Sequence, residues 1–533
     1  MFDIDPSLLL QQLSYQPDSP MIFSSGIFLF LFLGFTLIYC LLASAETSRM
    51  EKHGQRMGWR ILFVTLFSYY FYYKSSGLFF WLLALVTTSD YFIARAIAQV
   101  KEKGGLAKTL VVLSLILDLG LLIFFKYTNF LGETLCTILA DCGIHVPSAI
   151  SGSYLQGIVW QPRDIFLPVG ISFFTFQSLS YTIDVYRGNI KPLNRLLDYA
   201  FYVSFFPQLV AGPIVRARDF IPQIRRPLLV TDQMFGTGVF LIIAGLFKKA
   251  VISDYISVNF VERIFQQPDL YSGLENLLAV YGYTLQIYCD FSGYSDMAIG
   301  IALLLGFQFP KNFDNPYQSS SITEFWRRWH ISLSSWLKDY LYISLGGNRH
   351  GKLRQYFNLL MTMLLGGLWH GASLNFILWG GFHGLLLCLD KIWHSLCGVL
   401  SPLTYLPSKR NPNPTKNGFV VMVGGVVTFH LVAALWVLFR APSFGIAEQV
   451  FHQIFNKFEP QIFLQWVTSY RGVALLMFLG YLLHFLPKRL TEWARDLITR
   501  SPLLVKALLL VLLIWVVIQV KSSDVQPFIY FQF

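Results

Sequence analysis

Long apolar stretches follow one another along the whole chain, separated by short polar segments. Two examples are "SGIFLFLFLGFTLIYCLLAS" and "SPLLVKALLLVLLIWVVIQV". Each is close to the roughly 20 residues that a helix needs to cross a bilayer, and counting such stretches predicts roughly ten to thirteen membrane helices. The pattern therefore predicts an all-α polytopic integral membrane protein with no large soluble domain.

Polar residues divide this membrane domain into four parts. Apolar helices predominate towards both ends, whereas proline, glycine and polar side chains crowd into the middle. A segment rich in proline, asparagine and lysine separates the middle block from the helices that follow. We expect one domain over 1–533, with N-terminal helices in 20–130, a polar-rich core that is the candidate catalytic part in 164–393, a loop in 401–418 and C-terminal helices in 419–533.

The composition supports a membrane protein and adds a basic character. Of the 533 residues, 54% are hydrophobic and only 13% are charged, and a soluble globular protein usually has about twice that charged fraction. The formal net charge of +11 lies largely in short segments such as "FWRRWH" and "GGNRHGKLR". Basic short loops favour the cytoplasmic side of a membrane and attract anionic phosphates there. Because no separate basic domain exists, nucleic-acid binding is not expected.

The core combines helix breakers with polar side chains. Stretches such as "FFPQLVAGPIVRARDFIPQI" place prolines and glycines where a regular helix has to bend or break. Irregular backbone at membrane depth persists only around a protein-lined or water-filled cavity, so we expect the core to surround one. The polar side chains predicted closest to its wall are Asp290, Ser292, Tyr294, Ser295 and Asp296. The alternative is that these side chains cap helix ends and bond neighbouring backbone.

One segment of the core, "ITEFWRRWHISLSSWLKDYLYISLGG", sorts its side chains into two faces at helical spacing. This predicts a single amphipathic helix along the membrane surface or along the membrane part of the protein. The opposite, polar face includes Arg327 and Arg328. His330 lies at the edge of the aromatic stripe and should point towards protein or lipid. The stripe consists of Trp326, Trp329, Leu333, Trp336 and Tyr340.

His370 lies in a stretch without any charged side chain, from Gln355 to Leu389. As one straight helix this stretch would be about 50 Å long, whereas one membrane crossing needs about 30 Å. The chain must therefore break, and "GASLN" directly after His370 is the predicted place. The neighbouring glycines, Gly366, Gly367 and Gly371, are expected to leave room for a substrate.

A histidine at such a place can take and return a proton near neutral pH. The alternative is a buried histidine that only bonds a backbone carbonyl. His383, 13 residues further on, need not share a face with His370 and is expected to be a packing or polar lining residue. The histidines lack a tight ligand spacing and have no cysteine or carboxylate to complete a set, so a metal site is not expected.

These motifs resemble those of the membrane-bound O-acyltransferases, and among them the bacterial alginate O-acetyltransferase branch. The resemblance is carried by "LPVGISFFTFQSLSYTIDVYRG", "ITEFWRRWHISLSSWLKDYLYISLGGNRHG", "GGLWHGASLNFILWGGFHG" and the C-terminal "PFIYFQF". It implies a multi-pass helical fold around a central funnel or tunnel, with amphipathic interfacial helices. It also implies that His370 and His330 are the catalytic residues.

The resemblance further implies acyl transfer from a cytoplasmic donor, most simply acetyl-CoA as a substrate, with no bound cofactor. His370 would act as general base on an acceptor hydroxyl, or would briefly hold the acyl group. Trp369 and Asn375 could shape the pocket or donate a hydrogen bond to the developing oxyanion. The phosphates of the donor would lie near basic side chains, and the alternative for each of these is ordinary positive-inside anchoring. The candidates are Arg327, Arg328, Arg349 and Lys352.

The same resemblance implies a partner in addition to membrane lipid. The sequence contains no GxSxG motif and no soluble catalytic block. An extracytoplasmic SGNH-type acetyltransferase, or a related polysaccharide-modification protein, would pass the acetyl group to an exported polysaccharide such as alginate. The location implied is the bacterial cell inner membrane. Two alternatives are a D-alanyl transfer protein of the teichoic-acid type, which takes its donor from a carrier protein, and a polysaccharide or lipid transporter whose histidines line a proton path.

Overall fold

The computed structural model describes residues 11–17, 20–23, 25–53, 58–101, 104–142, 165–210, 212–226, 229–400 and 418–520. Across these ranges the chain is helical and contains no β-strand, which confirms the predicted all-α class. The C-terminal motif "PFIYFQF" and nearly all of the loop predicted in 401–418 lie outside the described residues. The chain divides into two compact units, Met1–Leu229 with Gly306–Gln308 and Val230–Leu305 with Phe309–Phe533. The division falls inside the block 164–393.

The first unit contains nine of the α-helices described here, numbered α1 to α9 in chain order. Their bounds are α1 (Gly26–His53), α2 (Trp59–Ser76), α3 (Phe80–Gln99), α4 (Gly104–Leu122), α5 (Thr128–Asp141), α6 (Ile171–Arg187), α7 (Leu196–Ser204), α8 (Phe206–Leu209) and α9 (Ala217–Ile224). A π-helical segment, Ile123–Tyr127, joins α4 to α5.

Aromatic ring contacts and a buried ion pair contribute to the stability of the first unit. The Phe206 ring contacts the rings of Phe35 and Phe71, from α1 and α2, at centroid distances of 5.5 and 5.8 Å. Buried Arg60 donates to the Glu46 carboxylate at 3.1 Å and to the Tyr39 hydroxyl at 3.2 Å. A buried ionised group is tolerated when it is paired in this way.

The second unit contains both candidate catalytic histidines. Its helices are α10 (Asp232–Leu246), α11 (Asp254–Ile256), α12 (Glu262–Gln266), α13 (Gly273–Leu304), α14 (Ile322–Arg328), α15 (Ile331–Trp336), α16 (Gly351–His370), α17 (Leu374–Leu400), α18 (Gly418–Arg440), α19 (Phe444–Asn456), α20 (Phe463–Ser469), α21 (Arg471–Phe485), α22 (Lys488–Arg500) and α23 (Leu503–Val520). Two π-helical segments, Phe247–Ser253 and Ser257–Val261, join α10 to α11 and α11 to α12, and a third, Leu337–Tyr342, continues from α15.

Six helical runs in the described part of the chain are long and apolar enough to cross a membrane, and two bent helix pairs raise the number to eight. This is fewer than the ten to thirteen predicted. One reason is that Trp59–Gln99 counts as one run although its 41 residues would extend for about 60 Å. Another is that α13 and α16 bring polar side chains into the protein interior and are less apolar than the spans. The protein is a multi-pass membrane protein. The six runs are Gly26–Glu46, Trp59–Gln99, Gly104–Leu135, Asp232–Gln266, Leu374–Leu396 and Gly418–Arg440.

Close contact between α10 and α13 forms the centre of the second unit. A Cβ added to Gly293 would lie 2.7 Å from the Gly245 carbonyl oxygen, and one added to Gly300 would lie 2.7 Å from that of Gly238. The glycines of each helix are seven residues apart, which is about two helical turns. Both contacts therefore lie on one face of each helix, and the small residues let the two backbones touch.

Ion pairs extend this contact beyond the end of α10. Lys249 donates to Asp254 at 2.7 Å and also to Asp290 of α13. Lys248 pairs with Asp296 and lies 3.4 Å from the Ser292 hydroxyl. The polar side chains predicted at a cavity wall thus lie in the middle of α13, and the alternative that they cap helix ends is wrong. Lys248 and Asp296 each keep 24% of their side chain exposed, whereas Asp290 keeps 4%.

Candidate active site

His370 is the last residue of α16, and three residues separate it from the start of α17. The predicted break directly after this histidine is therefore confirmed. The backbone is extended at Gly371, with φ −164° and ψ 154°. The His370 side chain is buried, with 3% of the residue exposed. The break thus places an ionisable ring inside the protein at a helix end.

Aromatic rings surround the His370 imidazole. The indole of Trp369 lies 5.0 Å away, the indole of Trp379 lies 5.1 Å away, and the Phe439 ring lies 5.3 Å away, all between ring centroids. Each meets the imidazole at a steep angle of between 71° and 88°. Edge-to-face geometry of this kind is favourable for aromatic pairs. Trp379 and Phe439, which sequence reasoning did not single out, therefore fix where the imidazole can lie.

The glycines around His370 do not leave space for a substrate, and that expectation is wrong. A Cβ on Gly371 would collide with the Phe376 ring, and a Cβ on Gly367 would collide with the Phe376 carbonyl oxygen. A Cβ on Gly366 would lie 3.2 Å from a methyl carbon of Leu337. Neighbouring helices fill the volume that the missing side chains would occupy. The glycines allow α16 and α17 to pack closely and so hold His370 in place.

His330 also lies at a helix break, which the sequence did not predict. The segment expected to form one amphipathic helix is split into α14, α15 and a π-helical segment, with Trp329 and His330 between the first two. The backbone of His330 is left-handed, with φ 42°, a conformation that costs a non-glycine residue about 1–3 kcal/mol. His330 is fully buried and therefore points towards protein, one of the two environments that the aromatic stripe predicted. Surrounding contacts must hold this strained turn.

Hydrogen bonds determine the tautomer of His330. The Asn312 Oδ1 atom accepts from the Ser332 backbone N–H at 3.2 Å and from the Ser332 hydroxyl at 2.8 Å, and Asn312 Nδ2 donates to Ser295 at 3.0 Å. Since Oδ1 can only accept, the His330 Nδ1 atom 3.2 Å away must carry the proton. The lone pair is then on Nε2, which is buried and has no hydrogen-bond partner among the described residues. Burial lowers the pKa of His330 to about 3, so the ring is neutral near pH 7.

The structure brings the two predicted histidines together around Trp369. Its indole lies 6.3 Å from the His330 ring and 5.0 Å from the His370 ring. His383 joins the same cluster, because Trp379 contacts both His370 and His383, the latter at 4.8 Å. The His383 Nδ1 atom accepts from the Trp326 indole N–H at 3.3 Å. His383 is therefore engaged in packing and polar contact, as expected.

Hydrogen bonds or ion pairs engage three of the other predicted residues, Asn375, Arg328 and Lys352. The Asn375 side chain, at the start of α17, donates to the Ala441 carbonyl oxygen at 2.9 Å and so ties α17 to the end of α18. Arg328 pairs with Glu324 at 2.6 Å, whereas Arg327 is exposed. Lys352 and Arg349 are both exposed. The Lys352 ammonium group donates to the Ser395 hydroxyl. Arg349 and Lys352 flank the first residue of α16 and thus lie about 28 Å along that helix from His370.

Asn312 is the functional candidate that the sequence analysis missed. It lies in the short segment "NFDNPYQ" and reaches His330 across 18 residues. The only signal in the sequence is two asparagines and an aspartate between apolar helices, and such residues often occur in turns for local reasons. Its role became visible only through the backbone N–H of Ser332, which fixes the orientation of the amide.

Comparison with known proteins identifies the family. The family model described as MBOAT, membrane-bound O-acyltransferase family, matches residues 25–427. The probable alginate O-acetylase AlgI of Pseudomonas putida is 36% identical over 535 residues, covering 96% of this chain and 100% of the relative. The peptidoglycan O-acetyltransferase of Helicobacter pylori is 33% identical over 458 residues, covering 81% and 79%. The teichoic acid D-alanyltransferase of Bacillus subtilis is 30% identical over 303 residues, covering 53% and 71%. The chain belongs to the membrane-bound O-acyltransferase family and is a multi-pass membrane O-acyltransferase.

Proposed function

We propose that this protein moves an acetyl group from cytoplasmic acetyl-CoA across the bacterial inner membrane for O-acetylation of an exported polysaccharide. The observation that carries the proposal is the cluster in which buried His370 and His330 both contact the Trp369 indole. The names of two relatives, an alginate O-acetylase and a peptidoglycan O-acetyltransferase, supply the substrate class. Both acyl acceptors in those names are glycans.

His370 is the proposed general base. It takes the proton of an acceptor hydroxyl while the hydroxyl oxygen attacks the carbonyl carbon of the acetyl thioester. The carbon–sulfur bond breaks, the proton passes to the leaving sulfur, and the products are an acetyl ester and the free thiol of CoA. The aromatic rings around His370 exclude water, which would otherwise hydrolyse the thioester.

His330 is proposed to orient the acceptor by holding a hydroxyl next to the one that reacts, because the single proton of the reacting hydroxyl goes to His370. With its proton fixed on Nδ1 by Asn312, the ring can offer only the lone pair of Nε2 as a hydrogen-bond acceptor. Trp369, which lies between the two histidines, remains the candidate for shaping the pocket or donating to the oxyanion. Asn375 is less suited to that role because its amide donates to Ala441.

The basic side chains are proposed to attract the phosphates of the donor. Arg327 and Arg328 precede His330 by three and two residues, which supports a role near the site. Arg349 and Lys352, at the far end of α16, fit a first encounter with the donor at the membrane surface. No cofactor is required for this chemistry.

The comparison favours acetyl transfer over D-alanyl transfer. The alginate-type relative aligns over 96% of this chain, whereas the D-alanyltransferase aligns over 53%. Membership of an acyltransferase family disfavours the transporter alternative. We further propose an extracytoplasmic partner of the SGNH acetyltransferase type, which would receive the acetyl group and pass it to the polysaccharide.

The test is a pair of variants, His370→Ala and His330→Ala, compared with wild type in cells that export the polymer. Both the acetyl content of the polymer and its total amount are measured. Loss of acetate with a normal polymer amount is expected for His370→Ala. Normal acetylation in that variant would contradict the proposed function, and loss of the polymer itself would favour transport.

A further inference from the structure

A third buried histidine, His484, makes a contact that packing alone does not require. It lies near the end of α21 with 3% of the residue exposed. Its Nε2 atom accepts from the backbone N–H of Tyr317 at 3.1 Å, and its main-chain carbonyl oxygen accepts from the Gln318 side chain at 2.7 Å. Two hydrogen bonds thus join α21 to a segment 167 residues earlier in the chain.

That segment, residues 312–318, is here called the clamp loop. Its backbone pairs with both sides of the His330 turn: the Asp314 N–H donates to the Arg328 carbonyl oxygen, and the Ile331 N–H donates to the Asn312 carbonyl oxygen, each at 2.9 Å. The Asn312 side chain sets the His330 tautomer. The clamp loop therefore determines both the backbone conformation of His330 and the tautomer of its ring.

Strain in the clamp loop explains why it needs an anchor. Asn315 and His330 are the non-glycine residues with positive φ, 45° and 42°, within the described ranges. Such conformations persist only where surrounding contacts over-determine them. The contacts at the far end of the clamp loop are those of Tyr317, whose hydroxyl donates to the Thr284 carbonyl oxygen at 2.7 Å and whose N–H donates to His484.

A phenylalanine could fill the site of His484 but could not make this bond. The His484 ring packs against the rings of Tyr288 and Tyr317 at 4.5 and 5.1 Å, contacts open to any six-membered aromatic ring. The acceptor nitrogen is different, because without it the buried N–H of Tyr317 would lose its partner. The bond requires a neutral His484 whose Nε2 carries a lone pair.

We propose that His484 is a positioning residue for His330, acting through the Tyr317 N–H and the clamp loop. This proposal rests on the proposed function, in which His330 orients the acceptor. His484 does not touch the reacting groups. It holds the segment whose Asn312 decides where the His330 ring lies and which of its nitrogens is free to accept. A shift of the clamp loop would then move the His330 ring and leave the binding of acetyl-CoA unchanged.

The test uses acetyl transfer from acetyl-CoA in inverted membrane vesicles, with rates divided by the amount of folded, monodisperse protein. His484→Phe keeps a ring and removes the acceptor, whereas His484→Gln keeps an acceptor near the position of Nε2 and removes the ring. We expect His484→Phe to lower kcat by about tenfold with an unchanged KM, since a small misplacement of a reacting group is costly. We expect His484→Gln to restore most of that kcat. The control is His452→Phe at an exposed position, which should match wild type.

A wild-type kcat in His484→Phe, or a lower kcat in His484→Gln than in His484→Phe, would overturn the proposal and leave only ring packing. If His484→Phe does not fold, His484→Asn supplies the second measurement, because its shorter side chain does not carry an acceptor to the position of Nε2. A fall in kcat at unchanged KM is expected there, and a wild-type kcat would overturn the proposal. Equal rates in wild-type and His370→Ala vesicles would instead contradict the proposed function itself.

Discussion

The two candidate catalytic histidines lie at helix breaks that hold them by different means. At His370 the backbone is extended after the break, and three aromatic rings surround the imidazole. At His330 the backbone is left-handed, and Asn312 and Ser332 form a hydrogen-bonded network with the ring. Ring packing places a side chain by shape, whereas hydrogen bonds also decide which nitrogen carries the proton. The difference fits the proposed roles, which are proton transfer for His370 and orientation of the acceptor for His330.

Apart from replacing a histidine itself, the change with the largest expected effect is removal of the Asn312 amide that holds the His330 ring. Asn312→Ala leaves three donors without their acceptor, namely the Ser332 N–H, the Ser332 hydroxyl and the His330 Nδ1–H. We expect acetyl transfer to fall by about 10- to 100-fold, because the ring then loses the acceptor that fixes its orientation and its Nδ1 proton. The measurement is kcat for acetyl transfer in inverted vesicles. Asn312→Asp, which keeps the acceptor oxygen, should lose less, and equal losses in the two variants would argue against the proposed orientation.

A change at the helix break after His370 tests whether close packing holds that turn. Gly371→Ala directs a Cβ into the Phe376 ring, so it should lower the free energy of unfolding by about 1–3 kcal/mol. Thermal unfolding of the detergent-purified protein measures the effect. Gly425→Ala is the matched control, because a Cβ there meets only the Ser319 carbonyl oxygen at 3.9 Å. If Gly371→Ala unfolded at the wild-type temperature, close packing would not be what holds the His370 turn.

Low pH should destabilise the folded protein, because His330 is buried in its neutral form. Burial lowers the pKa of His330 from 6.5 to about 3 in the folded protein, so between these pH values only the unfolded chain takes up the proton. The free energy of unfolding should therefore fall with falling pH, by about 1.4 kcal/mol per pH unit below 6.5. Unfolding of wild type and His330→Phe is compared at pH 6.5 and 5. The variant should lose this part of the pH dependence, and identical dependence in both proteins would contradict a buried neutral His330.

The smallest effect is expected at the exposed edge of the clamp loop. Burial alone would raise the pKa of Asp314, but hydrogen bonds and charges from Lys311 and Lys488 outweigh it and lower the pKa to about 2. The stabilisation is present above pH 3.8 and is lost as the pH falls towards 2. Because both lysines are at least half exposed, Asp314→Asn should cost about 0–1 kcal/mol at pH 7. Chemical denaturation measures this, and a loss of several kcal/mol would show that Asp314 is a main anchor of the clamp loop.

The features that could be predicted from the sequence are those that depend on residues close together along the chain. The uncharged stretch around His370 is too long for one crossing, so the break after it could be placed from helix length alone. The burial of His330 followed from its position beside an aromatic stripe. Both predictions rest on spacing within one helix, which is the information that a periodic pattern contains.

Features that depend on partners far along the chain could not be predicted. His330 has a left-handed backbone because the clamp loop pairs with both sides of its turn, and no local pattern distinguishes this from a continuous helix. Lys249 neutralises Asp290 across 41 residues, and His484 reaches Tyr317 across 167. The glycines near His370 were misinterpreted for the same reason, since the α17 residues that fill their space had no assigned position.

The central claim, that His370 is the base in acetyl transfer, is tested most directly by release of free CoA thiol from acetyl-CoA in inverted vesicles that contain the acceptor. Wild type, His370→Ala and the exposed control His452→Ala are compared at equal amounts of folded protein. Removal of a general base is expected to lower the rate by about 10²- to 10⁴-fold. His370→Ala should therefore be nearly inactive while the control matches wild type. A His370→Ala rate close to wild type would contradict the account.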